Sequence, residues 1–266
     1  MKYSAKYLHL IIANTLFVTV IITTTLAYYY EHVTSIIPYI SDTGTVAPES
    51  CIFGQFLNII WLLRKFQTSL LTHYLHEKTF IISVSMAMYI KFRQVRDILF
   101  KHNMTHRNAF NTVTFVIGLI ASFGVSIVAN FQETNMLYVH WTGAVLAFGG
   151  GAVYVCLQTS LYLTITPVIG QILLTKIRIF LSALITVTFV IFFITGMMSY
   201  SQFKGESYLK WHRENGGFEL HNTSAVTEWI CAIAIMVYIM MMGEEFKTIN
   251  MYEPEVDVGL QRISDN

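Results

Sequence analysis

The chain has 266 residues, 54% apolar and 12% charged, with a formal net charge of +1 and a mean hydropathy of +0.53. Soluble chains average about 25% charged residues, so this composition excludes an ordinary soluble domain and indicates a polytopic membrane protein. No basic block or basic amphipathic stripe stands out, so no nucleic-acid partner is expected.

The first apolar run, Tyr7 to Tyr30, holds 24 residues without a charge behind Lys2 and Lys6. Signal-peptide cores span about 7 to 15 residues and end at a small-x-small site, so this longer run, which lacks such a site, is expected to stay as a membrane span. Further spans follow from charge-free length, since about 20 helical residues cross a hydrocarbon core of about 30 Å. They are expected at about 8–30, 109–129, 136–161, 173–198 and 222–242, with Pro167 and Gly170 breaking the 42 uncharged residues between Thr134 and Thr175. The remaining span is irregular. Ser50 to Leu63 and Thr79 to Ile90 are uncharged but too short to cross alone, and Arg64, Lys65, His73, His76, Glu77 and Lys78 lie between. Burying Arg64 and Lys65 at mid-membrane costs about 3 kcal/mol each. The span is therefore expected at 51–63, continuing irregularly to 90.

The fold class expected is an all-α integral membrane protein, a six-transmembrane helix bundle with both termini cytosolic. Residues 1–243 form the transmembrane domain and 244–266 a polar, disordered cytosolic tail. Positive charge sets the orientation. Lys2, Lys6, Lys91, Arg93, Arg96, Lys101, Arg107, Lys176, Arg178, Lys247 and Arg262 fall inside, against Lys204, Lys210 and Arg213 outside. The loop Pro38 to Ser50, the turn Asn130 to Asn135 and the loop Ser201 to His221 then share the lumenal side. The first is rich in turn residues (Pro38, Ser41, Asp42, Thr43, Gly44, Thr45, Pro48), so it is expected to hold one shape without helix or strand.

Stripes of small residues mark helix contacts in membranes, and here they also carry polar side chains. Gly118, Ser122, Ser126 and Asn130 recur every four residues. His140, Gly143 and Gly151 follow on the next span; Cys51, Gly54 and Asn58, and Ala225, Glu228 and Ala232, complete the set. Asn58, Asn130, His140 and Glu228 are thus expected to point into the bundle beneath the loop that carries Asp42 and Glu49. Such a group could be a pocket that binds a lipid headgroup or senses pH, with His140 and Glu228 titrating, or a hydrogen-bonded plug that fixes helix register.

Catalysis has little support. There is no His-Glu-x-x-His, Gly-x-Ser-x-Gly, phosphate loop or dinucleotide fingerprint, and a set of Ser41, Asp42 and His140 is not demanded by spacing. No catalytic residue, metal or cofactor is expected. His73 and His76 read as a wet surface. Cys51, Cys156 and Cys231, odd in number and without ligand spacing, read as buried small hydrophobes. The sequons at Asn103 and Asn222 read as chance.

Several long stretches resemble the DNA damage-regulated autophagy modulator family. They are Pro38-Tyr-Ile-Ser-Asp-Thr-Gly-Thr-Val-Ala-Pro-Glu, Phe53-Gly with Asn58, Gly124-Val-Ser-Ile-Val-Ala-Asn-Phe-Gln, His140 with Gly143 and Phe148, and Trp211, His221 and Glu228-Trp229. The likeness ends near Glu245-Phe246. It implies a six-span, non-enzymatic protein of lysosomal and other endomembranes that promotes autophagy, with membrane lipids and autophagy-initiation proteins as partners. A wider similarity to transmembrane 150 proteins and to a factor that remodels glycosylphosphatidylinositol lipid keeps lipid handling as the alternative. Against the family pattern, about 20 residues near Trp61 to Ile81 are inserted.

Overall fold

The computed structural model describes residues 2–4, 8–34, 37–62, 84–246 and 249–252. Its helices are α1 Leu8–Tyr29, α2 Glu49–Leu62, α3 Val84–Lys101, α4 Asn108–Asn130, α5 Leu137–Ala144, α6 Gly150–Ile169, α7 Ile172–Gln202, α8 Phe218–Met241 and α9 Gly243–Phe246. Five stretches are long and apolar enough to cross a membrane: Ile12–Tyr29, Thr105–Asn130, Leu137–Val168, Ile172–Gln202 and Phe218–Met241. Backbone groups in lipid must be satisfied within the segment, which only a helix achieves here. The hydroxyls in these helices follow the same rule: Thr19, Thr114, Ser122 and Thr195 donate to carbonyls four residues back at 2.6–3.0 Å. Large apolar residues such as Phe17, Phe123, Phe180 and Val187 line the outer surface, as suits a lipid-facing bundle.

The irregular second span resolves into two helices laid along one neighbour. α2 meets the C-terminal half of α4, where Phe53, Leu57 and Ala129 form a small apolar cluster. α3 meets the N-terminal half, with Met88 beside Gly118 and the Asn111 amide donating to the Phe92 carbonyl at 3.0 Å. The two helices succeed one another down α4 and face α1 on their other side. Residues 63–83, including His73, His76 and most of the expected insertion, lie outside the described residues.

Between α5 and α6 the helix loosens into a π turn, Val145–Gly149. That turn lies close against α4, where a Cβ on Gly124 would sit 2.4 Å from the Ala147 nitrogen and 2.8 Å from the Gly143 carbonyl. Only glycine permits that approach. The break falls at Pro167 and Gly170 as expected: Pro167 sits in the last turn of α6, and Gly170, with left-handed backbone (φ 72°), closes the helix with a bond to the Thr166 carbonyl.

The long α7 packs along α8, joined where the Ser224 hydroxyl donates to the Phe192 carbonyl at 2.6 Å. Cys231 is buried in this seam, but Cys51 and Cys156 are exposed on the outside of the bundle, which corrects the reading of all three as interior residues. The main core joins Ile12, Met88, Val155, Ile185, Tyr238, Met242 and Phe246.

The start of the tail is ordered, contrary to expectation. α9 buries Phe246, and β2 Asn250–Tyr252 pairs antiparallel with β1 Lys2–Ser4, Tyr3 opposite Met251. The two ends of the chain thus meet at one end of the bundle. Residues 253–266 lie outside the described residues.

Candidate functional site

The loop between α1 and α2 folds inward rather than projecting. Asp42–Gly44 form a 3-10 turn whose residues are all buried. Its hydroxyls close it locally: Thr43 donates to the Ile40 carbonyl at 2.8 Å and Thr45 to the Ser41 carbonyl at 2.9 Å. Two bonds then pin it to α8. The Ile40 amide donates to Glu228 Oε2 and the Trp229 indole to the Pro38 carbonyl, each at 2.9 Å. Glu228 thus faces the loop from within the helix bundle.

Asp42 accepts the Tyr39 amide at 3.3 Å and lies beside Glu133, in the turn between α4 and α5. Glu133 receives the Tyr200 hydroxyl from α7 and lies near Ser41. Three carboxyl groups from three separate elements, Asp42, Glu133 and Glu228, are therefore gathered at the end of the bundle away from the paired termini, each with 5% exposure or less. Burial pushes the Asp42 carboxyl well above the usual range, and the neighbouring Glu133 and Glu228 charges push the same way. Burial also raises Glu133, which His140 opposes from α5. A carboxyl pair held like this binds a proton between its members more readily than either acid does in water.

An aromatic cap covers the group. Trp211 is buried, stacks on His221 at 4.1 Å between centroids and packs against Phe203 and Tyr200; Tyr39 meets His221 edge-on at 4.8 Å.

Of the site residues expected from sequence, Asp42 and Glu228 come together here. His140 is buried and faces Glu133 rather than forming a pair with Glu228; its Nδ1 bonds to the Phe131 carbonyl at 2.7 Å. Glu49 is buried but pairs with His32 beside the loop. Asn130 is exposed and bonds back to the Ser126 carbonyl, so it does not point into the bundle. Four residues turn a helix by about 400°, so a stripe of this period drifts by about 40° each step, which carries Gly118 and Ser122 inward but Asn130 outward. Asn58 belongs to α2, and its side chain lies outside the described residues. Glu133 is absent from the set expected from sequence. Its one signal is that it is the sole charged residue in the short outer turn Asn130 to Asn135. Among the described residues, no group of three or more His, Cys, Asp or Glu side chains has an arrangement that could hold a metal ion.

The model of the Frag1/DRAM/Sfk1/Cwh43P N-terminal domain matches residues 4–249. The chain belongs to this family. It is 31% identical over 224 residues to the bovine DNA damage-regulated autophagy modulator protein 2, covering 83% of this chain and 76% of the relative. It is 30% identical over 234 residues to the human DNA damage-regulated autophagy modulator protein 1 (87% and 86%). A frog relative, modulator of macroautophagy TMEM150B-B, is 31% identical over 209 residues (79% and 71%). No solved structure matches significantly. The chain is thus a multi-pass membrane protein of the autophagy-modulator family, and at family level its role is that of a membrane regulator of autophagy. The family match takes in the outer carboxyl group and α9 alike.

Proposed function

We propose that this chain is a six-span, non-enzymatic regulator of autophagy in lysosomal or related endomembranes, with its carboxyl group facing an acidic lumen and acting as a proton-held latch. The observation that carries the latch is the convergence of Asp42, Glu133 and Glu228 from a loop, a turn and a helix into one buried cluster. Three ionised carboxylates cannot share such a site cheaply, so protonation binds the elements together and loss of protons drives them apart. The neighbouring titratable groups are His140 on α5, Tyr200 on α7, Tyr39 in the loop and His221 on α8.

Six crossings are supported by two features. Five helical stretches are long enough to span, and α2 with α3 follows the length of α4 as one further path. The β1–β2 pairing joins the two termini, which requires an even number of crossings. The cytosolic placement of both termini rests on the excess of Lys and Arg on their side. The non-enzymatic reading is supported by the names of the relatives as modulators and by the engagement of Asp42, Glu133 and Glu228 with one another and the backbone. Membrane lipids and autophagy-initiation proteins are the proposed partners.

The test is rescue of cells lacking the protein, with autophagosome formation scored upstream of lysosomal degradation. Asp42→Asn and Glu133→Gln, made singly, are expected to reach lysosomal membranes in normal amounts yet lower the rate by at least about half. Normal rates with normal localisation contradict the latch, and a distribution away from lysosomes and related endomembranes contradicts the location.

A further inference from the structure

At the opposite end of the bundle a second polar junction is buried among α3, α6, α7 and α9. Lys91 and Arg178 both pair with the Glu245 carboxylate, and the Tyr162 hydroxyl donates to it as well. The Tyr162 ring lies 3.6 Å from the Arg178 guanidinium and 4.5 Å from Lys91 Nζ. Two basic side chains thus converge on one carboxylate. The unused bonding capacity has the same polarity. Arg178 Nη1 and Gln158 Nε2, the latter one turn from Tyr162 on α6, are buried donors with no acceptor among the described residues, and their side chains are 1% and 2% exposed.

Buried polar groups in native proteins nearly always have a partner, so an unfilled donor asks for an acceptor beyond the described residues. Here the unfilled groups are N–H donors beside two basic side chains. That combination calls for an acceptor-rich anion, and a guanidinium fork suits phosphate oxygens better than other anions. The carboxylate now in place comes from the four-residue helix α9, which follows the last long helix and is anchored in the core through Phe246.

We infer that Lys91, Arg178 and Gln158 form an anion site, that Glu245 occupies it as a built-in competitor, and that its external ligand is a phosphate-bearing anion. A phospholipid headgroup and free phosphate share that chemistry. The side of the membrane on which the site opens rests on the topology proposed above; the binding chemistry does not.

The test uses the full chain in neutral detergent micelles, with a water-soluble phosphatidylinositol monophosphate and inorganic phosphate as separate probes. Removing an internal competitor raises apparent affinity by the fraction of sites it had blocked, so Glu245→Gln is expected to bind about tenfold tighter than the unaltered protein. Glu245→Asp, which keeps the charge but withdraws it by one methylene, should gain about threefold on the same basis. Adding Arg178→Gln should remove the gain. Tighter binding of the lipid probe alone assigns the site to a headgroup, and equal gains for both probes assign it to free anions. The site is refuted if neither probe binds Glu245→Gln more tightly than the parent, or if Arg178→Gln leaves binding unchanged. Should Glu245→Gln not fold, Glu245→Asp decides alone, and an unchanged affinity there overturns the inference.

Discussion

Glu245→Gln should lower the thermal unfolding midpoint of the detergent-solubilised protein by on the order of 10 °C in phosphate-free buffer. The substitution leaves Lys91 and Arg178 buried side by side with a neutral amide in place of their shared carboxylate. Removing one partner of a buried ion pair costs about 3–5 kcal/mol, because the remaining charge keeps its desolvation penalty and loses its compensation. In domains of 150–250 residues each kcal/mol moves the midpoint by about 2–4 °C. The Tyr162 ring recovers part of the loss through its face. If the cost arises from charge, replacing Lys91, Arg178 and Glu245 together by Met should restore most of the midpoint, since apolar substitutes for a whole buried ion cluster are often neutral or stabilising. Tryptophan fluorescence during heating checks both variants. A triple variant no more stable than Glu245→Gln contradicts the account and points to packing of α9 instead.

The second large effect is a dependence on pH with the slope opposite to that of ordinary acid denaturation. Asp42 and Glu133 are held above the usual carboxyl range in the folded protein, mainly by burial. A carboxyl raised in this way binds its proton more tightly folded than unfolded. Its contribution to stability is complete below the ordinary carboxyl range and is lost as pH rises through the raised value. Every tenfold tightening of proton binding on folding stabilises the protein by about 1.4 kcal/mol. The midpoint should therefore be higher at pH 5 than at pH 7.5, and Asp42→Asn combined with Glu133→Gln should flatten the profile. A parent protein that is more stable at pH 7.5, or a double variant with an unchanged profile, contradicts this reading of the carboxyl group.

Much of the bundle is legible in local pattern. The uncharged run that contains α4 predicts 109–129, and the helix is Asn108–Asn130, because no residue in it conflicts with lipid. α1, α7 and α8 fall within a few residues of expectation for the same reason. The second span defeats that approach: Arg64, Lys65 and Lys78 interrupt it, and only the shared contact of α2 and α3 with α4 reveals the path. At the outer end, Asp42 and Glu228 are legible because a carboxylate among apolar or turn-forming residues stands out. Asn130 is misplaced when a period of four is treated as a helical repeat. Glu133 escapes notice because a single acid in a short turn has no pattern around it.

Glu245 shows a different limit. Composition alone assigns it to a solvated acidic tail, and Lys91 and Arg178 to the inner-side charges that orient the chain. Its partners lie 154 and 67 residues away, so nothing in local composition links them. Charge complementarity across such separations becomes visible only once packing brings α3, α7 and α9 together.

The latch depends on the outer carboxyl group lying across the membrane from the cytosol, and labelling of single cysteines tests that directly. Glu214→Cys, in the exposed stretch before α8, and His102→Cys, in the exposed turn after α3, are each introduced into a chain with Cys51, Cys156 and Cys231 replaced by Ser. With only the plasma membrane opened, a membrane-impermeant maleimide should label His102→Cys and spare Glu214→Cys until internal membranes are dissolved. Labelling of Glu214→Cys from the cytosol, with His102→Cys protected, would place Asp42, Glu133 and Glu228 on the cytosolic side and contradict the account.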